Sequence, residues 1–215
     1  MDEVKLIWDR IKDTNNATAF MIALKLGLRA GEIYALRWSD IDFKDSTANI
    51  TKQLQFQQGK WSFTTLKTAN SYRKIKFDNE FKEYLLEVKQ KQDEFRSLLG
   101  DMYKSNKVYN TLEKNENNNC VICVNDFINV KPDGEMSNTN SPKVITRICK
   151  EDFGIDFKIH NLRHTHATIL LEKGQNPKYI SERLGHSNAS FTLKLYTHLT
   201  RAMDDSALDA LNFKL

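Results

Sequence analysis

The sequence predicts an α+β fold: a mostly helical domain with one small three-stranded antiparallel sheet. Three observations carry that expectation. Apolar residues recur at helical spacing in segments with recognisable caps, three consecutive runs between 47 and 77 alternate as strands do, and glycines and prolines divide the region after 140 into short helices.

Taken in order, residues 16–28 (NATAFMIALKLGL) open on Asn16 as a candidate cap. They carry Phe20, Ala23, Leu24 and Leu28 at helical spacing, with Gly27 and Gly31 bracketing the end. EIYALRW reads as a second short helix and WSDIDFKDS as a polar turn. TANITKQLQF, GKWSFTTLK and SYRKIKF supply the three strands, the last two divided by the polar TANS. Asp78 caps a long helix through FKEYLLEVKQKQDEFRSLL that closes at Gly100, and DMYKSNKVYNTLEKNENNN, poor in aliphatic side chains, reads as an exposed loop. CVICVND is expected to be a short buried strand. Ser141 and Pro142 give SPKVITRICKEDF a cap and a first-turn proline. HNLRHTHATILLEKG ends on Gly174, and Asn176 with Pro177 opens NPKYISERLG, closed by Gly185. Two further short helices are expected over 190–198 and 202–212. No internal repeat occurs, and the only low-complexity tract is the Asn-rich 115–119.

A chain of 215 residues, 40% hydrophobic and 28% charged, is too apolar for wholesale disorder and can bury one core, so a single domain over 1–215 is expected. No apolar run is long enough to span a membrane, and the N-terminus lacks a basic region followed by an apolar block. A cytoplasmic location follows. Cys120, Cys123 and Cys149 are too few, and odd in number, for a disulfide framework, which agrees with a reducing compartment. The net charge of +4 permits a nucleic-acid partner without requiring one, because the distribution of Lys and Arg decides.

All five histidines, His160, His164, His166, His186 and His198, lie in the last part of the chain. In HNLRHTHA, His160 and Arg163 stand three apart on one helix face, where a neutral ring and a planar cation can meet one phosphate. In LGLRAGEIYALRW, Arg29 lies between two glycines, and Glu32, three residues on, can orient its guanidinium. Lys67 stands at the tip or shoulder of a strand pair, with Arg73, Lys74 and Lys76 close behind. His186 follows a helix-ending glycine and Tyr196 comes ten residues later. Each feature alone has a plainer reading: a solvated helix end, a surface arginine, a charge protecting an edge strand, a core tyrosine.

Together, in chain order, these pieces resemble the tyrosine recombinase family, also called phage integrases, from about residue 16 to about residue 200. The first arginine box matches LGLRAGE at Arg29 and the hairpin lysine matches LKTANSYR at Lys67. The H-x-x-R box matches HNLR at His160 and Arg163, the L-G-H box matches LGHS at His186, and the nucleophile matches Tyr196 in LYTH. The resemblance implies the family's catalytic domain. Full-length members are larger, with an N-terminal core-binding domain and often an arm-binding domain, neither of which is expected within 1–215.

The implied activity is DNA cleavage and rejoining through a 3′-phosphotyrosine, in a site-specific integrase of a phage or mobile element. Arg29 and Arg163 fit the need for cations that do not titrate, because the substituted phosphodiester gains charge on its non-bridging oxygens. His186 would add a hydrogen bond, His160 would accept the tyrosine proton, and Lys67 is the family's donor to the departing 5′ hydroxyl. Neither ATP nor a metal is implied, since the phosphotyrosine keeps the bond energy. The implied partners are double-stranded DNA attachment sites, gripped in part by Arg73, Lys74 and Lys76, and further copies of the chain in a tetramer joined through the C-terminal segment SALDALNFKL. A chromosome-dimer resolvase shares these motifs. A DNA-binding module without chemistry would not need the complete set. A metal hydrolase could use His160 and His164, four apart, but no H-E-x-x-H accompanies them and Arg163 between them would repel a cation. Cys120 and Cys123, a lone C-x-x-C, read as buried thiols of a strand.

Overall fold

A computed structural model of the chain describes residues 2–112, 120–186 and 197. Tyr196, the segments 190–198 and 202–212 apart from residue 197, and the Asn-rich tract lie outside the described residues.

The chain opens on α1 (Asp2–Ile11), which the sequence expectation does not include. Ile7 and Ile11 are buried, and Trp8 lies 6.0 Å from the ring of Phe20. α2 (Ala17–Leu26) is the helix expected over 16–28 and runs through the core. Asn16 does not cap it with its side chain, because its backbone is already helical (φ −94°, ψ −9°), whereas a capping residue needs an extended one. α3 (Ala30–Ala35) starts earlier than EIYALRW suggests, because Glu32 Oε2 accepts the Arg29 amide at 3.0 Å and makes Arg29 the cap. It stops at Ala35, where Leu36 turns extended and Arg37 pairs with Phe127.

The three-stranded antiparallel sheet exists, with a different membership. It consists of β1 (Ile41–Asp42), β2 (Thr47–Ile50) and β5 (Arg73–Lys76), in the order β1-β2-β5. Part of the expected polar turn therefore supplies an edge strand. The run 47–56 breaks after Ile50 and continues as β3 (Gln53–Gln57) in a second sheet with β4 (Lys60–Thr64), β6 (Asn106–Asn110) and β7 (Cys120–Val124), in the order β3-β4-β6-β7. In that mixed sheet β4 and β6 run parallel. Lys52 pins the crossing point through both oxygens of Asp40, each at 2.7 Å. β6 falls within the expected exposed loop. Only Asn106 and Val108 are buried in it, and Asn106 is satisfied by Gly134 O and the Met136 amide, both at 2.8 Å, so it leaves no apolar pattern to read. β7 is not the buried strand expected. Among the described residues it pairs with β6 alone; Val121 and Cys123 face solvent, Cys120 is half-buried, Ile122 packs against the core while half-buried, and Val124 is buried in it.

The helices after the first sheet follow the expectation closely. α4 (Asn79–Leu99) is capped by Asp78, whose Oδ1 accepts the Phe81 amide at 2.8 Å, and ends at Gly100. α5 (Pro142–Phe153) has its first-turn proline, but Ser141 Oγ accepts from the Asn138 amide rather than capping the helix. α6 (Ile159–Glu172) packs along α2, and α7 (Pro177–Leu184) is capped by Asn176 and ends on Gly185. Among the described residues no helix is long and apolar enough to cross a membrane. The ends of α2 and α7, the start of α3 and one face of α6 converge, and the polar residues singled out from the sequence meet there.

Candidate active site

Arg29 precedes α3 with an extended backbone (φ −74°, ψ 154°). Its Nη1 donates to Glu32 Oε1 at 2.9 Å and its Nη2 to Gly185 O at 2.8 Å. Glu32 has a side chain only 1% exposed, and Arg73 completes its surroundings with Nη2 donating to Oε2 at 2.9 Å and Nη1 to Oε1 at 3.3 Å. Burial alone would raise the Glu32 carboxyl. The hydrogen bonds and charge of Arg73, then of Arg29, outweigh it and hold the group below the usual carboxylate range. Glu32 is thus a buried anion shared by two arginines.

This corrects the assignment of Arg73 as an exposed DNA contact. Its side chain is 7% exposed, and beyond Glu32 it donates to Arg183 O at 2.8 Å and to Ser71 O at 2.7 Å. On β5, Arg73 shares a face with the buried Ile75, while Lys74 and Lys76 project to solvent from the other. That two-residue alternation was visible in SYRKIKF and is the signal that separates the three cations.

Arg163 is buried on α6 at 2% exposure. Its Nη1 donates to Gly27 O and its Nη2 to Leu184 O, each at 2.7 Å. Burial first, and the neighbouring Arg29 next, push this guanidinium down to about 9, so it remains charged at neutral pH. Arg183 O, Leu184 O and Gly185 O, three consecutive carbonyls at the end of α7, therefore accept from Arg73, Arg163 and Arg29 in turn. A helix C-terminus has carbonyls without partners and carries partial negative charge, so it suits three cations. Because their acceptors are adjacent, Arg29 and Arg163 stand side by side with donors left over. Gly27 makes the close approach possible. Its φ is +64°, and a Cβ there would lie 2.6 Å from Leu184 Cδ2 and 2.9 Å from His166 Cδ2.

The histidines divide by role. His160, exposed at the start of α6, meets His164 edge to face with ring centroids 4.8 Å apart. Partial desolvation of the ring, then His164, Arg163 and Arg29, lower its pKa, so the ring is neutral at pH 7. His186 is pushed down to about 4 by burial, then by Arg163 and Arg29. His166 belongs to the scaffold. Its Nδ1 donates to Leu24 O at 2.7 Å and its Nε2 accepts from Arg183 Nε at 3.1 Å, an arrangement that suits only a neutral ring, and its pKa is lowered to about 4. Among the described residues no three His, Cys, Asp or Glu side chains gather as a metal site would require.

Lys67 is exposed in the connection from β4 to β5 and makes no hydrogen bond or ion pair among the described residues. Lys74 reaches Asp45 at 3.9 Å across a solvated gap, and Lys76 is exposed beside it. Arg29, Glu32, Arg163, His160 and His186 come together, Arg73 joins them from behind, and Tyr196 lies outside the described residues. Two contributors escaped the sequence reading. Arg183 ties α7 to Lys76 O and to His166, and Ser71 touches Arg29.

The chain is 29% identical over 221 residues to a tyrosine recombinase XerC-like protein of Caldanaerobacter subterraneus, covering 98% of this chain and 52% of that protein. It is 29% identical over 182 residues to the ICEBs1 integrase of Bacillus subtilis, covering 85% and 44%. It thus spans about half the length of the curated relatives it matches. Its fold is that of the Tn1549 transposon integrase solved with transposon right end DNA, at TM-score 0.70 and 21% identity over 99% of this chain and 65% of that one. The XerA recombinase is also similar, at TM-score 0.62 and 20% identity over 100% and 64%. The description "Phage integrase family" matches residues 1–203, and the chain belongs to that family.

Proposed function

We propose that the chain is the catalytic domain of a site-specific DNA recombinase, an integrase of a phage or mobile element. The observation that carries this reading is the pair Arg29 and Arg163, held side by side by adjacent carbonyls of α7 and backed by the buried Glu32. Two fixed guanidiniums with donors to spare suit the non-bridging oxygens of one phosphodiester, and preorganised charge is worth most where charge develops.

In the reaction, the Tyr196 hydroxyl oxygen attacks phosphorus. The Tyr196–phosphate bond forms as the bond from phosphorus to the 5′ oxygen breaks. His160 takes the phenol proton, and the lowered pKa that leaves its ring neutral supports this role. His186 donates to the phosphate beside the arginines, and the Lys67 ammonium gives a proton to the 5′ oxygen. Attack by another 5′ hydroxyl returns the phosphate to DNA without ATP or a metal.

Duplex DNA attachment sites are the substrate, with Lys74 and Lys76 contributing phosphate contacts. Copies of the chain assemble as a tetramer through their C-terminal segments, in the cytoplasm, where the DNA is. The mobile-element reading is supported by relatives named as an integrase of ICEBs1, an integrase of Staphylococcus phage L54a and a transposase of Tn554, beside others named as XerC-like and XerC recombinases. The N-terminal DNA-binding domains of full-length family members belong to the same proposal.

The test is covalent trapping. The chain is incubated with nicked duplexes of randomised sequence, and adducts that survive denaturation are recovered and sequenced. Adducts are expected with the native chain and none with Tyr196→Phe. Adducts that persist in Tyr196→Phe would overturn the nucleophile. DNA binding without any adduct would favour a non-catalytic module.

A further inference from the structure

The turn that carries Lys67 is tied to the arginine site through one small residue. Ser71, 1% exposed, ends the 3-10 turn Ala69–Ser71. Its amide donates to Thr68 O at 3.0 Å and its carbonyl accepts from Arg73 Nη1 at 2.7 Å. Its hydroxyl lies 3.0 Å from Thr68 Oγ1 and accepts a longer contact of 3.4 Å from Arg29 Nη1. On the other side, a Cβ on Gly185 would come within 3.0 Å of Ser71 Cα, so the turn is pressed against the residue before His186. Among the described residues Lys67 itself has no bond to hold it, and a lysine stem has several rotatable bonds. Its ammonium is therefore aimed by the backbone of its turn. That backbone is joined to Arg29 by a short chain of hydroxyls, from Thr68, next to Lys67, through Ser71.

We infer that Ser71, relayed by Thr68, is a positioning residue that holds the Lys67 turn in register with the Arg29 guanidinium, so that the ammonium faces the departing 5′ oxygen. The inference rests on the reading of Lys67 as the proton donor. Ser71→Ala deletes only the hydroxyl. The amide bond, the carbonyl bond to Arg73 and the packing on Gly185 remain, so the fold should survive while the link to Arg29 is lost. A lost side-chain hydrogen bond corresponds to a rate effect of roughly tenfold.

The experiment measures single-turnover cleavage of the duplex recovered by trapping, made either with its natural 5′ bridging oxygen or with sulfur there. A thiolate departs without needing a proton. Ser71→Ala and Thr68→Val should be slowed roughly tenfold on the oxygen substrate and remain within about twofold of the native chain on the sulfur substrate. Lys67→Ala should show the same pattern with a larger defect, and the double variant Lys67→Ala/Ser71→Ala should be no slower than Lys67→Ala alone. If Lys67→Ala is rescued by sulfur but Ser71→Ala is equally slow on both substrates, or is not slow at all, the positioning role is wrong while the proton-donor reading stands. An additive double variant has the same meaning. If Lys67→Ala itself is not rescued, the proton-donor reading fails, and the inference fails with it.

Discussion

Removing the Glu32 carboxylate tests the construction of the site at its most buried charge. In Glu32→Ala the Arg29 amide loses its 3.0 Å acceptor, Arg29 Nη1 its 2.9 Å partner, and Arg73 its contacts at 2.9 and 3.3 Å. The guanidiniums do not suffer equally. The Arg29 side chain is 30% exposed and can turn to water, whereas that of Arg73 is 7% exposed and keeps its charge in the protein. Stripping one partner from a buried pair costs about 3–5 kcal/mol, and the partial escape of Arg29 puts the expectation near the lower end, about 3 kcal/mol. With a urea slope of about 2 kcal/mol per molar, the unfolding midpoint should fall by about 1.5 M at unchanged slope, read by circular dichroism and tryptophan fluorescence. Glu32→Gln keeps the shape and an acceptor, and should fall by less. The pH dependence has a definite sign. Because the folded carboxyl titrates below its ordinary value, its stabilisation is full above the ordinary carboxylate range and is lost as pH falls through the depressed value. In Glu32→Gln that part of the acid sensitivity should vanish. A midpoint for Glu32→Ala within about 0.3 M of the native chain would refute the idea that this carboxylate anchors the arginines.

Four further outcomes are expected. His166 titrates at about 4 when folded against an ordinary 6.5, so the unfolded chain takes its proton first; about 3 kcal/mol of stability, present above pH 6.5, is lost as pH falls towards 4. Denaturation series over that range should show the loss, and His166→Gln should flatten it. Gly27→Ala places a Cβ 2.6 Å from Leu184 Cδ2 at φ +64°, and overpacking with left-handed strain should cost about 2–5 kcal/mol in thermal or urea unfolding. Arg163→Lys keeps a charge but cannot bridge Gly27 O and Leu184 O while facing a phosphate; cleavage should fall by about 3 kcal/mol, or over a hundredfold, in single-turnover assays at unchanged DNA affinity. Lys74→Ala and Lys76→Ala should each weaken DNA binding and reduce the slope of log affinity against log salt by about 1, and an unchanged slope would remove them from the interface.

The order and identity of the candidate site residues, and most of the helix boundaries, were legible in the sequence. Those are local matters. Asp78 and Asn176 cap with their own side chains, Pro142 and Pro177 open helices, and Gly27, Gly174 and Gly185 sit at helix ends with positive φ, each legible within a few residues. Tyr196 is known from its place in LYTH alone. The division of 47–56 between two sheets comes from long-range packing, because alternation tells which face a side chain takes and not which strand lies beside it. That packing also turned Arg73 from a surface cation into the partner of Glu32, 41 residues away, and gave Arg163 its carbonyl from Gly27, 136 residues away. His166 became a neutral strut for the same reason, since the oxygen of Leu24 stands 142 residues off. A guanidinium or an imidazole carries no local mark of the acceptor it will meet. What it does is decided by which helix ends the packing of α2, α6 and α7 brings within 3 Å of it.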